Sequence, residues 1–252
     1  MPDAFQPWLA APALLLPLAG IMAVFSLGVL REARLRRHIR AGKPGARLKA
    51  YDWTMIQLWG LTALVIAVWL ADGRSLTALG LGLGHGAWTD WLGWGIALSA
   101  CGYLLYSVIE ATLSRSARET LRKKLGEAGD FELIRPETEA EYRRFNLVAL
   151  TAGVTEEIIF RGYLIALLAL VLPLWAAAIL ALLVFTLGHT YQGVSGMLRV
   201  VPIAAVLTLV FLLCGSLWPA ILLHAVIDLV GGALFRIAGS GPAETSSPAE
   251  VA

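Results

Sequence analysis

The stretch Phe145–Val171 carries Thr155-Glu156-Glu157-Ile158-Ile159-Phe160-Arg161-Gly162 in the middle of an otherwise apolar run. A helix needs about 20 apolar residues to cross the hydrocarbon core of a bilayer. A charge at the centre of such a helix costs several kcal/mol, so these three charges call for partners or for a task. Glu157 and Arg161 stand four residues apart, share one helix face and can pair, which offsets part of the cost. Glu156 is turned about 100° from Glu157 on a helix and has no partner within it. It is the better candidate for chemistry.

The rest of the chain explains why this stretch reads as a membrane span. Of the 252 residues, 58% are hydrophobic and 15% are charged, where a soluble domain carries about 45–50% and about 25%. Further apolar runs cover Trp8–Leu30, Trp53–Ala71, Trp88–Ile109, Leu174–His189, Val200–Leu213 and Trp218–Phe235. Trp8–Leu30 is too long and too Pro-rich at its start for a signal peptide, and no small-residue cleavage site follows it. Together the runs predict an all-α fold, a polytopic transmembrane bundle of about seven to eight helices around a buried polar site. Residues 1–144 read as N-terminal spans and basic loops, 145–236 as the catalytic core, and 237–252 as a Gly-, Pro-, Ser- and Ala-rich disordered tail. Cys101 and Cys214 fall in apolar runs and read as packing residues.

Basic residues set the expected orientation. Arg31–Lys49 and Arg115–Arg144 each hold eight Lys and Arg, whereas Arg74 stands alone between the second and third spans. The positive-inside rule places both basic loops in the cytoplasm. Acidic residues interleave the second loop, so nucleic acid is not an expected partner. The lipid bilayer is.

Two more polar pairs lie in apolar surroundings. The fifth run ends Phe185-Thr186-Leu187-Gly188-His189, and the last contains His224 and Asp228, four apart on one helix face. His38 and His85 fall in expected loops and carry no assigned role. A single intramembrane His is often only a helix–helix hydrogen-bond partner. One carboxylate, two imidazoles and an Asp on three helices can converge in a bundle core and supply what water activation needs. A proton- or cation-coupled transporter would instead carry a polar stripe along several helices. A non-enzymatic membrane scaffold would keep the fold without the chemistry.

The ordered trio Glu156-Glu157-x-x-x-Arg161, Phe185-x-x-x-His189 and His224-x-x-x-Asp228 resembles the CAAX-protease and bacteriocin-processing (CPBP) family of intramembrane proteases, over roughly Phe145–Phe235. The resemblance implies hydrolysis by glutamate-activated water without an acyl-enzyme. By it, Glu156 is the general base, His189 holds and activates the water, and His224 with Asp228 faces the developing oxyanion. Glu157, Arg161 and Phe185 support the site. The eukaryotic relatives have Asn where this chain has Asp228, and an ionised carboxylate cannot donate to an oxyanion. Two His and one Glu also form a familiar zinc set, so Glu156, His189 and His224 are the ligands if zinc is used. The metal-free mechanism is favoured because His-Glu-x-x-His is absent. The implied substrate is a membrane-embedded or lipid-anchored protein, and the expected location is a bacterial inner (plasma) membrane. Among the alternatives, a bacteriocin-immunity role remains open. On straight full-length helices His189 and His224 would lie more than about 10 Å apart in depth, which the fold has to resolve.

Overall fold

A computed structural model describes residues 12–127 and 135–239. Apolar runs without interior turn signals become helices, and among the described residues there is no strand. After a 3₁₀ turn at Pro12–Leu15, α1 runs Leu16–Arg40 with a proline in its first turn, where its missing N–H costs nothing. Gly45, at φ 69°, makes the left-handed step into α2, Ala46–Ala71. A π-helical turn at Thr77–Leu81 precedes α3, Trp88–Leu113.

Both basic segments are more helical than loops. α1 runs through most of the first, and α4, Arg115–Glu127, takes the first half of the second. The Ser114 hydroxyl accepts from Ala117 N–H at the start of α4. Arg118 reaches back to the last carbonyls of α3, at Ala111 and Thr112.

The chain resumes with α5, Glu139–Glu156, which starts on a capping box between Thr138 and Glu141. α5 continues into a π-helical segment, Glu157–Leu164, and then α6, Ile165–Leu168. All eight residues of the π-helical segment are buried, so the charged stretch Glu157–Arg161 lies at the centre of the bundle. α7 is Leu174–Leu187, α8 is Gly193–Cys214 and α9 is Trp218–Gly239. α9 packs on α5 and α3, α2 packs on α5, and α8 packs on both α3 and α7. The core gathers Trp69, Leu79, Ile159, Tyr163, Phe185 and Leu217 around the π-helical segment.

Among the described residues four helices are long and apolar enough to cross a membrane: Ala46–Ala71, Trp88–Leu113, Thr190–Cys214 and Trp218–Gly239. Only 17% of the apolar window of α2, and the same of α3, is buried within the protein. Trp59, Leu70, Leu98 and Leu105 point outward. Contiguous outward apolar surface on this scale fits a lipid environment and not water. Pro12–Gly28 and Leu174–Leu187 are shorter apolar helices.

The sixth run begins earlier than expected, at Gly193, and continues through Pro202. The fifth ends earlier, at Leu187. Trp8–Ala11 of the first run, and the tail beyond Gly239, lie outside the described residues.

Candidate active site

Three helices bring the site together, and one close contact makes it possible. Gly153 on α5 faces Ala225 on α9, where a Cβ would stand 2.9 Å from the Ala225 backbone nitrogen and 3.0 Å from its Cα. The absence of a side chain lets the two backbones touch one turn before Glu156 and Glu157, and directly beside His224. Gly162 plays the same part toward the other neighbour, since a Cβ there would meet the Leu79 carbonyl oxygen at 2.5 Å.

Glu157 is fully buried and takes two donors on one oxygen. Arg161 Nη1 lies 2.8 Å from Glu157 Oε1, and His224 Nδ1 lies 2.7 Å from the same atom. An arginine only donates, so Glu157 Oε1 accepts from Arg161, and as the carboxylate partner of that cation it accepts from His224 Nδ1–H as well. His224 therefore carries its hydrogen on Nδ1, and Nε2 is turned to the other side. There it stands 3.9 Å from Glu156 Oε2 and 3.7 Å from Asp228 Oδ2. Burial sorts the three carboxylates: the Glu157 side chain is 0% exposed, Glu156 16% and Asp228 35%. Glu157 is sealed in the protein, whereas Glu156 and Asp228 open outward.

Phe185 is the apolar centre of this arrangement. Its ring lies 4.2 Å below the Arg161 guanidinium, 4.6 Å from the His189 ring centre, and 6.1 Å from that of His224. Phe160 closes edge-on at 5.2 Å. The cation–π contact with Arg161 holds the guanidinium against Glu157 in surroundings where such contacts are strong. His189 follows the end of α7, and its Nδ1 lies 2.9 Å from the Phe185 carbonyl oxygen. A carbonyl only accepts, so His189 also carries its hydrogen on Nδ1 and leaves the Nε2 lone pair free.

The depth mismatch between the histidines disappears for a physical reason. α7 has 14 residues, about 21 Å at 1.5 Å per residue, short of the roughly 30 Å hydrocarbon core. It stops part-way, and a 3₁₀ turn at Thr190–Gln192 leads into α8. His189 is thereby placed against the Phe185 ring, which also faces His224.

The residues singled out from the sequence therefore form one cluster: Glu156, Glu157, Arg161, Phe185, His189, His224 and Asp228. Two features of it were not read from the sequence. Glu157 reaches His224 on another helix as well as Arg161 on its own. Tyr191, two residues past His189, sets its ring 5.7 Å from the His189 ring. Its proximity in sequence to His189 was the available signal.

Residues 141–230 match the model of the Rce1-like family, type II CAAX prenyl endopeptidase Rce1-like. This segment is Rce1-like. The match begins at the capping box of α5, ends in α9, and holds every residue of the cluster. The Rce1-like segment supports a CAAX-type intramembrane protease in general, and with the four apolar helices it makes the chain an integral membrane protein. No curated protein and no solved structure matches the chain.

Zinc tests the cluster differently. The donor types suit it, with two imidazole Nε2 atoms and a carboxylate, and both imidazoles have the second-nitrogen hydrogen bonds usual for metal-bound histidine. Yet among the described residues no group of three or more His, Cys, Asp or Glu side chains is arranged to hold an ion.

Proposed function

We propose that this chain is an intramembrane endopeptidase that hydrolyses a peptide bond in a membrane-embedded or lipid-anchored protein. The observation that carries the reading is the division of labour between adjacent glutamates. Glu157 is sealed and spent on Arg161 and His224, while Glu156 is 16% exposed beside His224 Nε2. A general base must reach substrate and water, and Glu156 is the one that can.

In this mechanism Glu156 accepts a proton from a water molecule held with the help of the free Nε2 lone pair of His189. The water oxygen bonds to the scissile carbonyl carbon, and the carbonyl π electrons move to its oxygen. His224, with hydrogen on both nitrogens, donates Nε2–H to that oxyanion, and Asp228 holds the imidazolium in place. Protonated Glu156 then gives its proton to the departing nitrogen as the C–N bond breaks, leaving an acid and an amine. A water-poor interior strengthens each of these electrostatic contacts. Both basic segments face the cytoplasm in this reading, and the substrate enters sideways from the bilayer.

Quantitative mapping of protein C-termini in membranes carrying wild-type, Glu156→Gln or His189→Ala protein tests it. A set of new termini lost in both variants is expected. Folded variants that leave every terminus unchanged would return the chain to a scaffold or transport role. The mechanism uses no metal, and one zinc bound per purified chain by elemental analysis would refute that part.

A further inference from the structure

The site as described holds few hydrogen-bond donors for an oxyanion. Glu156 and Asp228 are acceptors when ionised. His189 directs Nδ1–H to the Phe185 carbonyl, and His224 directs Nδ1–H to Glu157. Arg161 is turned to Glu157 and the Ala204 carbonyl, and the Nε2–H of His224 already faces two carboxylates. Acyl-transfer sites place preorganised donors where the oxyanion forms, and each contributes separately.

Tyr191 brings a further donor next to His189. It sits on the 3₁₀ turn directly after His189, with its ring against the His189 ring. The Gln192 side-chain amide donates to the Tyr191 phenol oxygen at 3.2 Å. A phenol oxygen that accepts on one side still has its own hydrogen to give, so Gln192 leaves that hydrogen free for another acceptor. The Tyr191 ring is linked through the rings of His189 and Phe185 to that of His224. The turn itself is anchored: Arg36 Nη2 donates to the Tyr191 carbonyl at 2.7 Å, and Gly188 rests against the Phe25 ring, where a Cβ would come within 2.9 Å. Both anchors come from α1, so the phenol is held by a helix outside the Rce1-like segment.

We propose that the Tyr191 hydroxyl is a catalytic hydrogen-bond donor to the oxygen of the scissile carbonyl, beside His224. It rests on the protease reading. The phenol keeps its proton throughout: it polarises the carbonyl before attack and stabilises the oxyanion after it. Water attack and C–N cleavage proceed as above, with Glu156 moving the proton.

The test measures the rate at which Glu156-dependent C-termini appear in membranes carrying equal amounts of wild-type, Tyr191→Phe and Glu156→Gln protein. Thermal unfolding of each purified full chain in detergent is followed in parallel. Tyr191→Phe keeps the ring on His189 and removes one oxygen. The expected result is a rate lower by about 100-fold or more, the range for a lost oxyanion donor, with the thermal midpoint of wild type. A near-wild-type rate in Tyr191→Phe, with Glu156→Gln inactive, overturns the proposal and leaves the protease reading standing. Absence of any Glu156-dependent terminus overturns both. If Tyr191→Phe unfolds, 3,5-difluorotyrosine at position 191 takes its place, with the same shape and a more acidic hydroxyl. A shifted rate then supports the donor role, and an unchanged rate overturns it.

Discussion

His224 Nδ1 and Glu157 Oε1 lie 2.7 Å apart across the α5–α9 contact, and the same oxygen accepts from Arg161 at 2.8 Å. Glu157 thus ties a motif on one helix to a motif on another. It fixes which nitrogen of His224 faces the open carboxylates, and Arg161, 1% exposed, neutralises it.

Removing the cation should therefore be costly. Arg161→Met leaves Glu157 charged, buried and unpaired except for His224. Breaking a buried ion pair on one side costs about 3–5 kcal/mol. The expected result is a strongly lowered thermal midpoint in detergent for Arg161→Met. Glu157→Gln leaves the Arg161 cation buried without its carboxylate and should lower the midpoint as well. Equal midpoints for Arg161→Met and wild type would show that the pair does not hold the core.

The Gly153–Ala225 contact gives an independent lever on the same geometry. Gly153→Ala adds one methyl 2.9 Å from Ala225 N, with backbone on the facing side, so α9 has to move. The His224–Glu157 distance lengthens, and the rate of appearance of Glu156-dependent termini is expected to fall at least about 10-fold, in line with the steep dependence of rate on positioning. Gly231→Ala on the same helix α9, where a Cβ meets nothing within 4 Å, should leave the rate unchanged. If both variants behave alike, close approach at Gly153 is not what sets the site.

A second brace lies away from the site, where α2 and α5 begin. Arg47 Nη1 lies 3.3 Å from Glu141 Oε2, and Arg47 Nη2 lies 3.0 Å from Glu137 Oε1. Burial alone would raise the Glu141 carboxyl, but the backbone N–H groups of Glu137 and Thr138 and the Arg47 guanidinium outweigh it and hold it below its ordinary value of 4.5. A carboxylate held lower in the folded state stabilises above its unfolded pKa, and that contribution disappears as pH falls through the folded value. Thermal midpoints measured from pH 7 downward should be flat until about pH 4.5 and then fall, with a shallower fall in Glu141→Gln. Identical profiles would remove Glu141 from the account.

Much of this site was legible in the sequence because charge in an apolar run has few innocent explanations. Glu156, Glu157, Arg161, His189, His224 and Asp228 stand out as polar groups in apolar runs, and helical spacing gives the i,i+4 pairing of Glu157 with Arg161. What spacing cannot report is which helix faces which. The bond from Glu157 to His224 depends on the α5–α9 contact at Gly153, and the partners are 67 residues apart in the chain. Helix ends were the other weak point. Gly188 is a helix-stop residue, yet the run was read through it to His189, which lies just beyond the end of α7. The helix α4 was hidden for the opposite reason: a basic segment reads as a loop until Ser114 and Arg118 are seen tying it to α3.

The central claim is that Glu156, and not the sealed Glu157, is the base. The most direct test is quantitative C-terminal mapping in membranes carrying equal amounts of folded wild-type and Glu156→Gln protein. Glutamine keeps the size of the side chain but replaces one acceptor oxygen with a donating NH2 and cannot take a proton from water. The account predicts that a defined set of termini present with wild type is missing with Glu156→Gln, while the thermal midpoint of the variant stays that of wild type. The same termini appearing at the same rate with Glu156→Gln would contradict it.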